Sequence, residues 1–269
     1  MTSGGSRSRW TTFSRVVLLM VGCAIILMAA NPFTPHLAEQ WPTAIVGTVT
    51  GFATLGLSLL FLRWDGLRLA DVGAAPRRRS LVRMALGFLV GLLLVAMQMG
   101  LVTLEGHLRW VRSSGVGVAP SLSALAAYLA LACREELAFH GYPLRRMEQD
   151  FGLWGAQIFV ATIFAFEHVA GGYSWRNAIL GAFAGSLLFG MAALATRGLA
   201  VPIGLHAAWN FGQWIFGQKA VSGLWMPVVA GGYRARFDRN EMLAYLAVVG
   251  PATVAFWWMK RRRQKTAAR

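Results

Sequence analysis

Acidic residues are scarce, with 11 Asp and Glu against 26 Lys and Arg, and all charged residues together make up only 14% of the 269-residue chain. That is too little charge for the surface of a water-soluble domain of this size. Cysteine is nearly absent: Cys23 and Cys133 are the whole complement, and both sit in apolar runs. A disulfide framework and a cysteine-based zinc site are thereby excluded. The chain also lacks a long linker, a low-complexity tract and a convincing internal repeat, and its longest polar insertions are about 63–83 and 217–240. A single domain is the simplest organisation.

What fills the chain is hydrocarbon. Hydrophobic residues make up 56% of it, and the mean hydropathy is +0.51. A run of roughly 20 apolar residues crosses a bilayer as a helix. Eight such runs are readable, at about 16–31, 42–62, 84–104, 121–140, 153–170, 177–196, 199–216 and 241–259. A closed barrel needs short strands of strict in/out alternation, whereas Ala85 to Met97 is continuously apolar. The expected fold is therefore all-α: a polytopic membrane bundle of about eight transmembrane helices, with a tail at 1–15, one membrane domain at 16–259 and a basic tail at 260–269. Arg7, Arg9 and Arg15 before an apolar run ending near Ala29 and Ala30 have the outline of a cleaved signal peptide. Its removal would leave seven spans, and nothing in the charge pattern requires that.

The net charge of +15 invites a nucleic-acid partner, but the distribution of the bases points to a membrane instead. With both termini placed in the cytoplasm, 18 Lys and Arg fall on the inside, in the two tails, the loop from Arg63 to Arg83, Arg145, Arg146 and Arg197. Seven fall outside (Arg109, Arg112, Arg176, Lys219, Arg234, Arg236 and Arg239), and Arg134 lies within a span. This is the positive-inside bias, and it fits an even number of spans in the cell membrane. Trp41, Trp64, Trp110, Trp154 and Trp175 fall near predicted span ends, as an aromatic belt would. Gly47 with Gly51, and Gly181 with Gly185, have the spacing that lets helix backbones approach. The expected partners are the bilayer and a membrane-associated protein or peptide, with no nucleic acid.

An ionisable group at membrane depth costs roughly 2.5–3.5 kcal/mol even on lenient insertion scales. Few residues are kept there: Arg134, Glu135 and Glu136 on the fourth span, Glu167 and His168 on the fifth, His206 and Asn210 on the seventh, and His140 near the cytoplasmic edge. His206 and Asn210 are four apart and share a helix face. At about 1.5 Å per residue, Glu135 lies roughly 15 Å in from Arg145 and His206 roughly 14 Å in from Arg197. His168, counted from Gly152, comes out near 24 Å, too deep unless its helix starts below the surface or tilts. Taken singly, each feature also has an ordinary reading, as a buried ion cluster or an interhelix hydrogen bond; three helices each contributing a polar set favour a site.

The segments "EELAFHGYPLRRM", "FAFEH" and "HAAWN" resemble, in that order, the three motifs of the CAAX prenyl protease and bacteriocin-processing family of intramembrane endopeptidases, over about residues 121–216. The resemblance implies an eight-helix core and a site within the membrane, open to the cytoplasm, that hydrolyses a peptide bond with a Glu-activated water. It implies Glu135 as general base, His168 as the residue that positions or activates the water, and His206 and Asn210 as donors to the developing oxyanion. Glu136, His140 and Arg134 would support them. A carboxylate in a dehydrated pocket and donors on one helix face suit these tasks.

One position departs from the family pattern, for His140 stands where an arginine is expected after Glu-Glu-x-x-x. A guanidinium would stay charged, whereas an ordinary histidine is charged only below about pH 6.5. Arg134 or Arg145 substitutes, or the site is pH-sensitive, or activity is lost. Glu135, His168 and His206 also form a zinc-like ligand set, but no His-Glu-x-x-His helix is present, and no cofactor is expected. A non-catalytic relative acting in bacteriocin immunity or as a membrane interaction partner is the first alternative. A Glu/His proton-coupled transporter is the second, although the paired halves or interrupted helices typical of transporters are not evident. Nothing in the residues selects a prenyl group or a particular peptide.

Overall fold

The computed structural model of the protein describes residues 8–30, 40–219 and 223–267. The outermost tail residues 1–7 and 268–269, and the side chain of Trp41, lie outside the described residues. Helices dominate because the long apolar runs have no other way to satisfy their backbone polar groups in lipid. They are α1 (Arg9–Ala30), α2 (Gln40–Trp64), α3 (Ser80–Thr103), α4 (Val118–Glu135), α5 (Tyr142–Ala170), α6 (Trp175–Asn177), α7 (Ala184–Thr196), α8 (Ala200–Ile215) and α9 (Arg234–Ala267). Among the described residues, six helical stretches are long and apolar enough to cross a membrane. The protein is thus an all-α, multi-pass membrane bundle. Its outer surface carries exposed Leu86, Leu89, Leu93 and Leu101 on α3 alone, as a lipid-facing surface should.

Two π-helical turns interrupt the regular geometry, at Glu136–Gly141 between α4 and α5, and at Ala178–Phe183 between α6 and α7. A π turn changes the direction in which the following side chains point and is common at functional sites. Gly152, at φ 75° and ψ 173°, breaks α5 into a short arm and a longer helix from residue 153 onward. The positive φ is easy only for glycine.

The closest helix crossing is between α3 and α8. A Cβ on Gly204 would overlap Met84 O, one on Gly87 would overlap Val201 O, and one on Gly91 would lie 2.6 Å from Leu205 O. The small residues at four-residue spacing on α3 therefore let two backbones touch. The expected packing glycines behave unevenly. A Cβ added at Gly47 would lie 3.2 Å from Ala130 Cβ and one at Gly185 would lie 3.1 Å from the Tyr245 hydroxyl, but a Cβ at Gly181 would meet nothing within 4 Å. Gly181 instead presents its carbonyl to the Tyr245 O–H at 2.7 Å.

Side-chain contacts define the two ends of the bundle. At one, which carries most of the arginines, Asp65 is paired with Arg15 of α1 and with Arg146 of α5 at 3.0 Å, and accepts from the Tyr142 hydroxyl at 3.0 Å. The same end holds Arg83 on Thr196 O, Arg145 on Ala193 O at 2.7 Å, and Lys260 against Glu148 at 2.8 Å. The opposite end is tied by an antiparallel ribbon of β1 (Leu108–Arg112) and β2 (Trp225–Val229), in register from Leu108 with Val229 to Arg112 with Trp225. β2 lies in the polar insertion at about 217–240, where no strand is expected from the sequence. His107 stacks on Tyr233 at 3.6 Å beside the ribbon, and Asn240 reaches Glu105. Trp64, Trp154 and Trp175 are at least half exposed near helix ends, as a belt requires, whereas Trp110 donates to Thr103 at 2.8 Å and packs on Phe216.

Candidate active site

The two adjacent glutamates point to different places. Glu135 closes α4 and Glu136 opens the π turn. Glu136 is completely buried and sits between two histidines. His140 Nδ1 lies 2.8 Å from its Oε2 and His206 Nδ1 lies 2.9 Å from its Oε1, so each ring nitrogen donates to the carboxylate. On its far side, His140 Nε2 is 3.1 Å from Ser186 Oγ of α7. Arg134 pairs with Glu135 at 2.6 Å, Arg145 is committed to Ala193 O, and His140 itself takes the place beside Glu136.

His206 joins the two carboxylates, since its Nε2 is 3.5 Å from Glu135 Oε2 while its Nδ1 faces Glu136. Phe189 stacks on its ring at 4.2 Å with planes 14° apart, which fixes the ring's orientation. His168 is oriented from its own helix. Its Nδ1 is 2.8 Å from Phe164 O, and a carbonyl only accepts, so this nitrogen carries a hydrogen and the lone pair of the neutral tautomer is on Nε2. Phe164 stands between the histidines, 4.4 Å from the His168 ring centroid and 6.3 Å from that of His206.

Glu135, His168, His206 and Asn210 line one cavity of about 770 Å³. Glu136 and His140 lie behind it, in protein. The depth difficulty with His168 resolves here: it sits near the end of α5, two residues before Ala170, and the cavity extends from Glu135 to that end of the bundle. Ser186 and Phe189 were not foreseen. Ser186 is a hydroxyl kept in the apolar run "GSLLFG", a weak polar signal; Phe189 carries none, because a core aromatic and a ring that stacks on His206 read alike. Gly190 is also unforeseen: a Cβ there would lie 2.5 Å from Gln157 Oε1 and 3.0 Å from His140 Cδ2, so its absence makes room for the His140 ring. As arranged, Glu135, His168 and His206 do not form a metal-holding set, and no group of three or more His, Cys, Asp or Glu side chains among the described residues does so.

Fold and site together define a multi-pass helical membrane protein with a carboxylate–histidine cluster at the base of a cavity. Residues 117–212 match the family described as Type II CAAX prenyl endopeptidase Rce1-like, so the likeness read from the three motifs holds over the segment that carries them. It is a family of membrane proteases. No curated protein matches the chain.

Proposed function

We propose that the protein is an intramembrane endopeptidase of the cell membrane, of the CAAX-protease type, in which Glu135 activates a water for attack on a peptide carbonyl. The observation that carries this reading is the convergence of Glu135, His168, His206 and Asn210, from three helices, on one cavity wall. Glu135 takes a proton from the water as its oxygen bonds to the carbonyl carbon. The lone pair on His168 Nε2 is available to hold that water. The His206 ring, held from behind by Glu136, and the Asn210 amide donate to the tetrahedral oxyanion. The proton held by Glu135 then passes to the departing amine as the C–N bond breaks. No step needs a metal. We also infer eight passes with both termini in the cytoplasm, because α5 divides at Gly152 and the 16-residue α8 is a further apolar pass.

Replacing Glu135 with Gln in cells should cause a membrane protein or peptide to accumulate uncleaved. Comparison of terminal peptides in parent and variant membranes identifies it. Identical sets of termini, with both proteins present at equal levels, would remove the protease reading.

His140 is expected to hold Glu136 in place. Among the described residues no Lys or Arg pairs with Glu136, and its two oxygens face His140 and His206. His140→Ala should lower activity, because it leaves one buried carboxylate oxygen without its donor. His140→Arg should retain activity, since a guanidinium is charged and can bridge carboxylate oxygens. Turnover by His140→Ala equal to the parent's would show that His140 does not support Glu136.

A further inference from the structure

We infer that the cavity admits its substrate from the non-cytoplasmic side of the membrane, and that the substrate is an extended peptide segment displayed on that side. This rests on the protease reading of the site but changes its direction, because the family resemblance implies access from the cytoplasm. The cavity mouth is built from residues of the ribbon end. Tyr173, Ser174 and Arg176 follow α5, Lys219 follows α8, and Arg234 and Asp238 begin α9. Cross-contacts hold this rim together: Lys219 Nζ donates to Tyr173 Oη at 3.3 Å, and Arg176 donates to Asp238 O at 3.5 Å.

The other direction is closed. Between the glutamates and the arginine-rich end lie Leu144, Ala193, Leu194 and Leu199, each no more than 3% exposed, and Arg145 is bonded across them to Ala193 O. Among the described residues the closed end, with the loop Arg63 to Arg83 and the basic end of α9, carries 16 Lys and Arg, and the mouth end has seven. A bias of that size orients a multi-pass protein with its basic end inside. Site geometry and charge together therefore turn the mouth outward.

The lining names the kind of ligand. Five side-chain amides face the cavity: Gln98, Asn177, Asn210, Gln213 and Gln218. Such amides present both donors and acceptors. An extended peptide offers the C=O and N–H groups that match them, and a hydrocarbon chain offers neither.

The test uses the full-length protein in intact cells, with Cys23 and Cys133 replaced by Ala and single cysteines at Ser174, Lys219 and Gln213 for the mouth and cavity, or at Ser80 and Arg197 for the closed end. A membrane-impermeant maleimide should label the first three in intact cells and the last two only after permeabilisation. Denaturation in detergent verifies that each thiol is present. Labelling of Ser80→Cys and Arg197→Cys in intact cells overturns the inference, as does failure of Ser174→Cys and Lys219→Cys to react until the membrane is opened or the protein denatured. Labelling needs no catalysis, so an inactive protease still decides the orientation. The scissile bond of the protein that accumulates with Glu135→Gln should lie in a non-cytoplasmic segment, and a cut site mapped to a cytoplasmic segment also overturns the inference.

Discussion

Glu135→Gln should abolish peptide hydrolysis while the protein still inserts and folds. The substitution keeps side-chain volume and helix propensity, and removes the carboxylate charge and with it the ability to accept a proton. Loss of a positioned general base costs about 10²–10⁴-fold in rate. The remaining amide still accepts from Arg134, now at 2.6 Å from Glu135 Oε1, so the local structure keeps its closest tie. His206→Ala should remove activity to a similar extent and behave differently on heating. It takes away one of the two nitrogens that satisfy Glu136, and breaking a buried ionic contact by removing one partner costs about 3–5 kcal/mol. The pair of measurements, turnover of a purified preparation and its thermal transition, separates chemistry from structure. Normal turnover by Glu135→Gln would falsify the assignment of Glu135 as base. Equal melting of His206→Ala and the parent would show that Glu136 does not depend on that ring.

The second large effect is expected far from the chemistry. Gly204→Ala places a methyl group on top of Met84 O, and Phe88 N lies 2.8 Å from the same point. Backbone cannot rotate aside as a side chain would, so α3 and α8 must separate. Ordinary overpacking costs about 1–3 kcal/mol, and this site should exceed that range. Because α8 carries His206 and Asn210, the displacement should also lower activity in whatever folded fraction remains. Gly100→Ala is the control: it lies on the same α3, and a Cβ there meets nothing within 4 Å. If Gly204→Ala and Gly100→Ala melt together, the close crossing is not a determinant of stability.

The apolar runs made the helices legible, since a stretch such as Ala85 to Met97 has no alternative in lipid. The candidate residues were legible for a related reason: a glutamate or histidine in such a run is conspicuous. Only the resemblance, which gives the base's role to Glu135, told the two glutamates apart. Any helix turns adjacent side chains about 100° from each other, and which of them met the cavity was set by packing and by the π turn that follows, neither of which has a residue signature. The packing glycines were only half legible. Gly47 and Gly181 have identical spacing patterns, yet an added Cβ would press on a neighbouring helix at Gly47 and meet nothing at Gly181, because contact depends on which face the partner occupies. The β1–β2 ribbon was hidden because its strands stand more than a hundred residues apart and are short, with Pro227 in one of them.

The Asp65 contacts bear on how the protein is made. Ribosomes deliver the chain from its N-terminus, so Arg15 and Asp65 enter the membrane environment well before Tyr142, which lies 77 residues beyond Asp65. At 5–20 residues per second, that interval lasts on the order of 4–15 s. Throughout it, neither Tyr142 nor Arg146 is available to Asp65, and α1 has no α5 to pack against. The first two helices must therefore wait as an unfinished unit, and their final seat is set only when the fifth helix arrives and its hydroxyl and guanidinium close on the same carboxylate.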